Sequence, residues 1–332
     1  MGIGRGFGKL LLFGEHSAVY GYPALGVRLD WSLEVVVSDS PEWEFPAVVT
    51  DRYRAALIDS LDTIVGSDHG PLAISVCGDL PLSVGLGSSA AFCTALLRAI
   101  NPVRFADTES LWHAAHALEH VFHGRPSGID TGLSVYAGAS LFTRNSGADE
   151  QGSAFDSGSA SLSTEHAVVS PVPQREPIAL PHGYLLLCAI PRTASTATLV
   201  QRVADRRASD PDGTVAIMEE LGKVAERVAH GADGKRPSLG ETGELATRAH
   251  RALVRLGVSS VELDEGVRLL EQAGALGAKL SGAGGGGAFY GVFQTHAAAE
   301  TAAAAVRSWV ESERLTVDGR PIVTIVETGP HP

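Results

Sequence analysis

The chain has 332 residues, 44% of them hydrophobic, and carries 38 acidic against 26 basic side chains for a formal net charge of −12. That length accommodates two lobes around a sizeable core, and the acidic balance excludes nucleic acid as the main partner while leaving an anionic substrate open to local donors. No apolar run is long enough to span a membrane, and Leu10-Leu-Leu-Phe13 meets Glu15-His16 too soon to be the core of a signal peptide.

The three cysteines, Cys77, Cys93 and Cys188, lie far apart and form no C-x-x-C pair. The expectation is buried thiols in a reducing, cytoplasmic compartment.

In chain order, residues 9–13 read as a short buried strand. It runs into Gly14-Glu15-His16-Ser17-Ala18-Val19-Tyr20-Gly21, so Lys9, Glu15 and His16 bring three potential proton or charge carriers to one strand end. Residues 25–37 continue as strand, 41–46 turn, 51–65 form a helix with Ala55, Leu57, Ile58 and Leu61 apolar, and 72–77 are strand again.

Then comes Pro81-Leu-Ser-Val-Gly-Leu-Gly-Ser-Ser-Ala-Ala91. Gly85 and Gly87 permit positive φ and close backbone approach. Ser88 or Ser89 can cap the helix that follows to about residue 100, and free N–H groups at a helix start attract anions. A phosphate cradle and a plain capped helix both fit this stretch. Two better-known phosphate motifs fit less well. Gly8-Lys9 has Ile3 and Leu10 where a P-loop needs glycine and a hydroxyl. Gly85-Leu-Gly87-Ser-Ser-Ala90 satisfies the dinucleotide pattern, with Asp107 near the distance of a ribose-binding acid, but Gly78, Asp79 and Pro81 interrupt the strand that should feed it.

Asp107 or Thr108 caps a predicted helix through residue 122, its apolar stripe made by Leu111, Ala115, Leu118 and Phe122. Glu119 beside the stripe is either a rim carboxylate or a ligand aimed inward. The loop His123-Gly-Arg-Pro-Ser-Gly-Ile-Asp130 leads to a strand predicted over 133–142, with Asp130 a cap or a carboxylate held at its entrance. Residues 144–165, rich in Ser, Gly and acids, read as a surface insertion without chemistry.

A second lobe should begin near Gly183 with a strand over 184–190. Helices follow around 196–208, 214–230, 241–256 and 262–273. The glycine-rich run 278–288 enters a strand over 289–293, and a helix over 297–312 and a strand over 322–326 close the chain. This order resembles a split βαβ arrangement. The four glycines 284–287 read as too short to link strands and suited to tight backbone packing near a ligand.

Together these pieces are more specific. Gly8-Lys9 with Gly14-Glu15-His16 and Tyr20-Gly21, then Pro81 with residues 85–91, then Lys279-Leu-Ser-Gly-Ala-Gly-Gly-Gly-Gly287 resemble the three ordered motifs of the GHMP small-molecule kinases across almost the whole chain. Within that superfamily, Glu119 followed by His123-Gly-Arg-Pro-Ser-Gly-Ile-Asp130 is similar to the mevalonate kinases. The resemblance implies an α+β, two-lobed fold. Residues 1–180 would form a ribosomal-S5-like, ATP-binding N-terminal lobe and 181–332 a ferredoxin-like C-terminal lobe, with substrates between them. It implies ATP and Mg²⁺, and phosphorylation of the 5-hydroxyl of mevalonate in isoprenoid biosynthesis. A small-molecule substrate is the only partner implied, with no nucleic acid and no membrane, and a homodimer fits the resemblance.

Carried over by position, Pro81, Gly85, Leu86, Gly87, Ser88, Ser89 and Ala90 would wrap the ATP phosphates. Ser89, or alternatively Ser88, and Glu119 would hold Mg²⁺. Asp130 would take the hydroxyl proton, and Lys9 would favour ionised Asp130 and the developing alkoxide. Glu15 and His16 would read the carboxylate or hydroxyl end of the acceptor, Thr196 would lie near the phosphates, and Gly282 and Ala283 would pack against nucleotide loop and substrate. Ser83-Val84 departs from a usual Gly-Ala, Phe7 from a proline and Ala197 from a lysine. The competing expectations are another GHMP acceptor (phosphomevalonate, a sugar or homoserine) and a non-catalytic relative.

Overall fold

A computed structural model describes residues 1–124, 126–144, 171–232 and 235–329. Its strands fall into two antiparallel sheets. The first holds β1 (Gly2–Phe13), β2 (Ala24–Asp39), β3 (Leu72–Gly78), β4 (Ala139–Thr143) and β5 (Gln174–Ile178). β2 is its axis: it pairs with β1 on one side, and on the other with β4 through Ala24–Val27 and with β3 through Leu33–Asp39.

Helices α2 (Ser88–Ile100) and α4 (Ile129–Val135) pack on this sheet, α3 (Thr108–His123) lies against both, and α1 (Asp51–Val65) lies against α3. How α2 lies on β1 follows from the sequence Gly2-x-Gly4-x-Gly6. A Cβ at these positions would stand 1.9, 2.0 and 1.9 Å from the carbonyl oxygens of Ala99, Ala95 and Ala91. Two residues of strand advance about 6.6 Å and four of helix about 6 Å, so the two repeats stay in step. Helix and strand meet backbone to backbone, and the N-terminus of α2 is delivered beside Lys9.

The second sheet runs β7-β8-β6-β9. It is built from β6 (Gly183–Ile190), β7 (Gly277–Leu280), β8 (Gly287–Phe293) and β9 (Ile322–Thr328). Between β6 and β7 the chain forms α5 (Thr196–Ser209), α6 (Pro211–His230), α7 (Leu239–Leu256) and α8 (Val261–Gln272), and α9 (His296–Ser312) precedes β9. Their starts are chemically marked. Asp210 caps α6 ahead of its first-turn proline, and Ser238 and Glu241 form a reciprocal capping box on α7. The core is continuous through both sheets, with Phe13, Phe142, Phe289 and Tyr290 among its largest enclosed side chains.

Four expectations are corrected. The strand predicted over 133–142 is instead α4 followed, after Gly138 at φ +76°, by the five-residue β4. An apolar run buried on all sides carries no period to separate helix from strand. The four glycines do link two strands, as part of the 281–286 hairpin between β7 and β8. Their tight packing is nonetheless real: a Cβ on Gly284 or Gly286 would come within 1.9 and 2.2 Å of the Val258 and Pro191 carbonyl oxygens. The N-cap of α2 is Gly87 in the left-handed region, with no side-chain cap from either serine. Finally, Cys93 and Cys188 are buried but Cys77 is exposed on β3. The insertion expected over 144–165 falls outside the described residues after Arg144. Among the described residues no helix is long and apolar enough to cross a membrane.

Candidate active site

Lys9 lies where β1 passes under the glycine loop. Its backbone N–H donates to Leu86 O at 2.9 Å, which ties the loop to the strand. Gly87 holds φ +79°, and a Cβ there would sit 2.7 Å from Lys9 Cγ, so a side chain is excluded both by conformation and by space. Ser88, Ser89 and Ala90 then open α2, their N–H groups without intrahelical acceptors. Leu86 is buried beneath the loop and Pro81 at its entry. Ser83 adopts φ +62°, the conformation a glycine would take without strain at this departure from the family pattern.

The Lys9 ammonium reaches Asp130 Oδ1 at 3.2 Å. Lys9 is almost wholly buried, whereas the Asp130 side chain is 38% exposed in the first turn of α4 and so remains open to a ligand. Glu119 enters from α3 and is buried. It accepts a hydrogen bond from Ser89 Oγ at 3.3 Å, and the same hydroxyl lies 2.9 Å from His123 Nε2. Burial first, and then the negative charge of Asp130, push the Glu119 carboxyl up to about 8, against the opposing pull of Ser89 and Lys9. Burial likewise lowers His123, with Lys9 and Arg192 adding to that effect and Asp130 opposing it.

A buried carboxylate with a raised proton affinity, one hydroxyl beside it and a second carboxylate nearby is a hard-oxygen set short of positive charge. It suits Mg²⁺, which takes few protein ligands and completes its shell with water and phosphate oxygens. Ser89 rather than Ser88 carries the hydroxyl that meets Glu119. Among the described residues no cluster of three or more His, Cys, Asp or Glu side chains suggests a metal cage.

The C-terminal sheet contributes the opposite wall. A Cβ on Gly287 would meet Val84 O at 2.9 Å and one on Gly282 would lie 4.0 Å from Gly85 O, so the 281–286 hairpin and the first residue of β8 abut the glycine loop. His16, at φ +57°, reaches the Ala283 carbonyl with Nε2 at 2.9 Å. Glu15, expected to read the acceptor, is fully enclosed and paired with Lys279. Thr196 opens α5, exposed, and its hydroxyl accepts from Arg192 Nη2 at 3.1 Å.

Arg192 is the residue the sequence reading passed over. It is half-buried, its stem lies against Gly287, and among the described residues no carboxylate pairs with it. Its position directly after the β6 end and Pro191 was the available signal, since strand ends carry functional side chains.

Family profiles match two stretches: the GHMP kinases N terminal domain over residues 53–138 and the GHMP kinases C terminal domain over 232–312, between them half the chain. The chain belongs to the GHMP kinases. This GHMP kinase is 28% identical over 304 residues to a mevalonate kinase of Archaeoglobus fulgidus, covering 86% of this chain and 90% of the relative. A mevalonate kinase of Pyrococcus horikoshii is 29% identical over 320 residues, covering 85% of each. In fold, the kinase matches the crystal structure of L. major mevalonate kinase in complex with R-mevalonate, with a TM-score of 0.73, 22% identity and coverage of 99% of this chain and 96% of that one.

Proposed function

We propose that this GHMP kinase transfers the γ-phosphoryl group of ATP to the 5-hydroxyl of mevalonate, giving 5-phosphomevalonate and ADP. The observation that carries the reading is the Lys9–Asp130 pair at 3.2 Å, set against the glycine loop and the start of α2. The curated relatives, which match along most of their length, supply the acceptor.

Asp130 accepts the proton of the attacking hydroxyl. Lys9, 3.2 Å from it, stabilises the oxyanion as the proton leaves. The N–H groups of Ser88, Ser89 and Ala90 receive phosphate oxygens at the positive end of α2. Arg192 adds a guanidinium near Thr196, where Ala197 offers no charge. Ser89 and Glu119 would hold Mg²⁺, which would supply charge neutralisation on the phosphate chain. Catalysis of this kind is alignment plus electrostatics, and these groups suffice for it. In this reading residues 1–180 carry nucleotide, metal and base, and residues 181–332 close the acceptor side through His16's partner Ala283 and the hairpin.

The test is an acceptor panel. Purified protein with ATP and Mg²⁺ is offered mevalonate, phosphomevalonate, galactose and homoserine, and ADP release is followed together with product mass. Mevalonate should give the highest kcat/KM. Faster turnover of another alcohol would move the protein to a different acceptor, and ATP binding without any transfer would make it a non-catalytic relative.

A further inference from the structure

Glu15 and Lys279, 264 residues apart in the chain, form an ion pair in which neither side chain has any solvent exposure. Lys279 Nζ also donates to Leu280 O at 2.7 Å and lies 5.6 and 5.5 Å from the ring centroids of Phe13 and Tyr290. Glu15 Oε2 has no hydrogen-bond partner among the described residues. Such a pair is poor value as a source of stability, because the cost of removing two charges from water rivals their attraction, and apolar residues of similar volume pack as well.

What the pair holds is more informative. Glu15 precedes His16, whose positive φ of +57° is unfavourable for an L-residue and whose ring crosses to Ala283 O at 2.9 Å. Two more bonds close the same seam: Ser281 Oγ donates to Leu11 O at 2.7 Å and Tyr290 hydroxyl to Leu12 O at 2.9 Å. Side chains from the hairpin and β8 thus satisfy the Leu11 and Leu12 carbonyls near the end of β1, and the buried pair, through Lys279 of β7, pins the turn beyond it.

We infer that Glu15 and Lys279 are positioning residues for the acceptor: they lock the turn carrying His16 to the glycine hairpin, so that the acceptor-binding face is assembled before the acceptor arrives. This deepens the proposed function and rests on its placing the acceptor beside His16. Neither residue touches the reacting atoms. The pair acts through the turn, and its loss should be felt by the acceptor and not by ATP.

The experiment compares E15A, E15Q and the double variant E15Q/K279M by steady-state kinetics, ATP calorimetry and thermal melting. K279M alone strands a buried carboxylate and is expected to fold poorly, whereas the double variant removes both charges at similar volume. In the double variant the acceptor KM should rise about tenfold or more, with ATP affinity within about twofold and melting near that of the wild type. E15A, which strands the Lys279 ammonium, should show the same split between acceptor and ATP at a lower melting temperature, and E15Q, which still offers an amide oxygen to Lys279, should restore most of both. An acceptor KM unchanged in both E15A and the double variant overturns the inference, as does equal loss for acceptor and ATP. Wild-type protein is assayed alongside. If it ignores mevalonate, the acceptor assignment fails, and the split is read with the alcohol that the panel identifies.

Discussion

Asp130 is the residue whose substitution separates chemistry from architecture. As Asn it keeps its size and its place in the first turn of α4, but it cannot take a hydroxyl proton. Loss of a general base costs roughly 10²–10⁴-fold in rate, so D130N should retain near-normal melting and ATP binding while kcat collapses. K9M should also lower kcat, and D130N/K9M should lose far less than the product of the two, since both act on one proton transfer. A D130N protein that melts early yet keeps its kcat would make the residue structural. Glu119 gives a second handle, through pH. Its carboxyl binds a proton more tightly in the folded chain, at about 8 against a reference of 4.5. Stability from this group is therefore fully present below the reference value and is lost as the pH climbs through the folded value. Metal-free protein should melt at progressively lower temperature between about pH 5 and 8, E119Q should lack this part of the slope, and Mg²⁺ with ATP should recover melting temperature at the alkaline end in wild type only. Parallel profiles for wild type and E119Q would contradict the buried position of the carboxyl.

Among the elements, the contact of β1 with α2 decides whether there is a site at all. Gly6→Val places a branched side chain where a backbone carbonyl already stands 1.9 Å from the Cβ position, and neither helix nor strand can yield locally. A cost of about 2–3 kcal/mol is expected, read as a fall in the denaturant midpoint. ATP affinity should weaken with it, because the start of α2 moves away from Lys9. Gly87→Val differs in kind: it meets a flexible lysine stem at 2.7 Å and a left-handed backbone, so nucleotide binding should suffer more than folding. Calorimetry on both variants distinguishes the two. Untouched ATP affinity in Gly87→Val would defeat the phosphate-cradle reading.

In the molecule as a whole, the two sheets meet through specific polar bonds as well as apolar contact. Ser281, Tyr290 and Lys279 reach Leu11, Leu12 and Glu15, and His16 reaches back to Ala283. Tyr22 fills the space beside Gly222 of α6, and Arg207 of α5 lies 4.7 Å over the Tyr20 ring. A seam built in this way couples the unfolding of both sheets. Scanning calorimetry should show one transition with matching calorimetric and van't Hoff enthalpies; two resolved transitions would mean that the lobes fold independently.

Much of this was legible in the order of residues. Strongly periodic helices such as residues 51–65 and 241–256, the Gly85–Ser89 turn and the polar run ending at Asp130 carry local signals, because caps, glycines and apolar stripes act over a few residues. The tertiary structure decided what depends on distant partners. It made 129–135 a helix, since a segment buried on every side has no period to show. It turned Glu15 from an expected reader of the acceptor into half of an enclosed ion pair, brought the unremarked Arg192 against Gly287, and revealed Gly2, Gly4 and Gly6 as the bed of α2. No local rule pairs residue 15 with residue 279, or a strand's glycines with alanines some ninety positions on. Those choices are made by packing, where burial, charge and the room for a single Cβ are settled by chain that arrives from elsewhere.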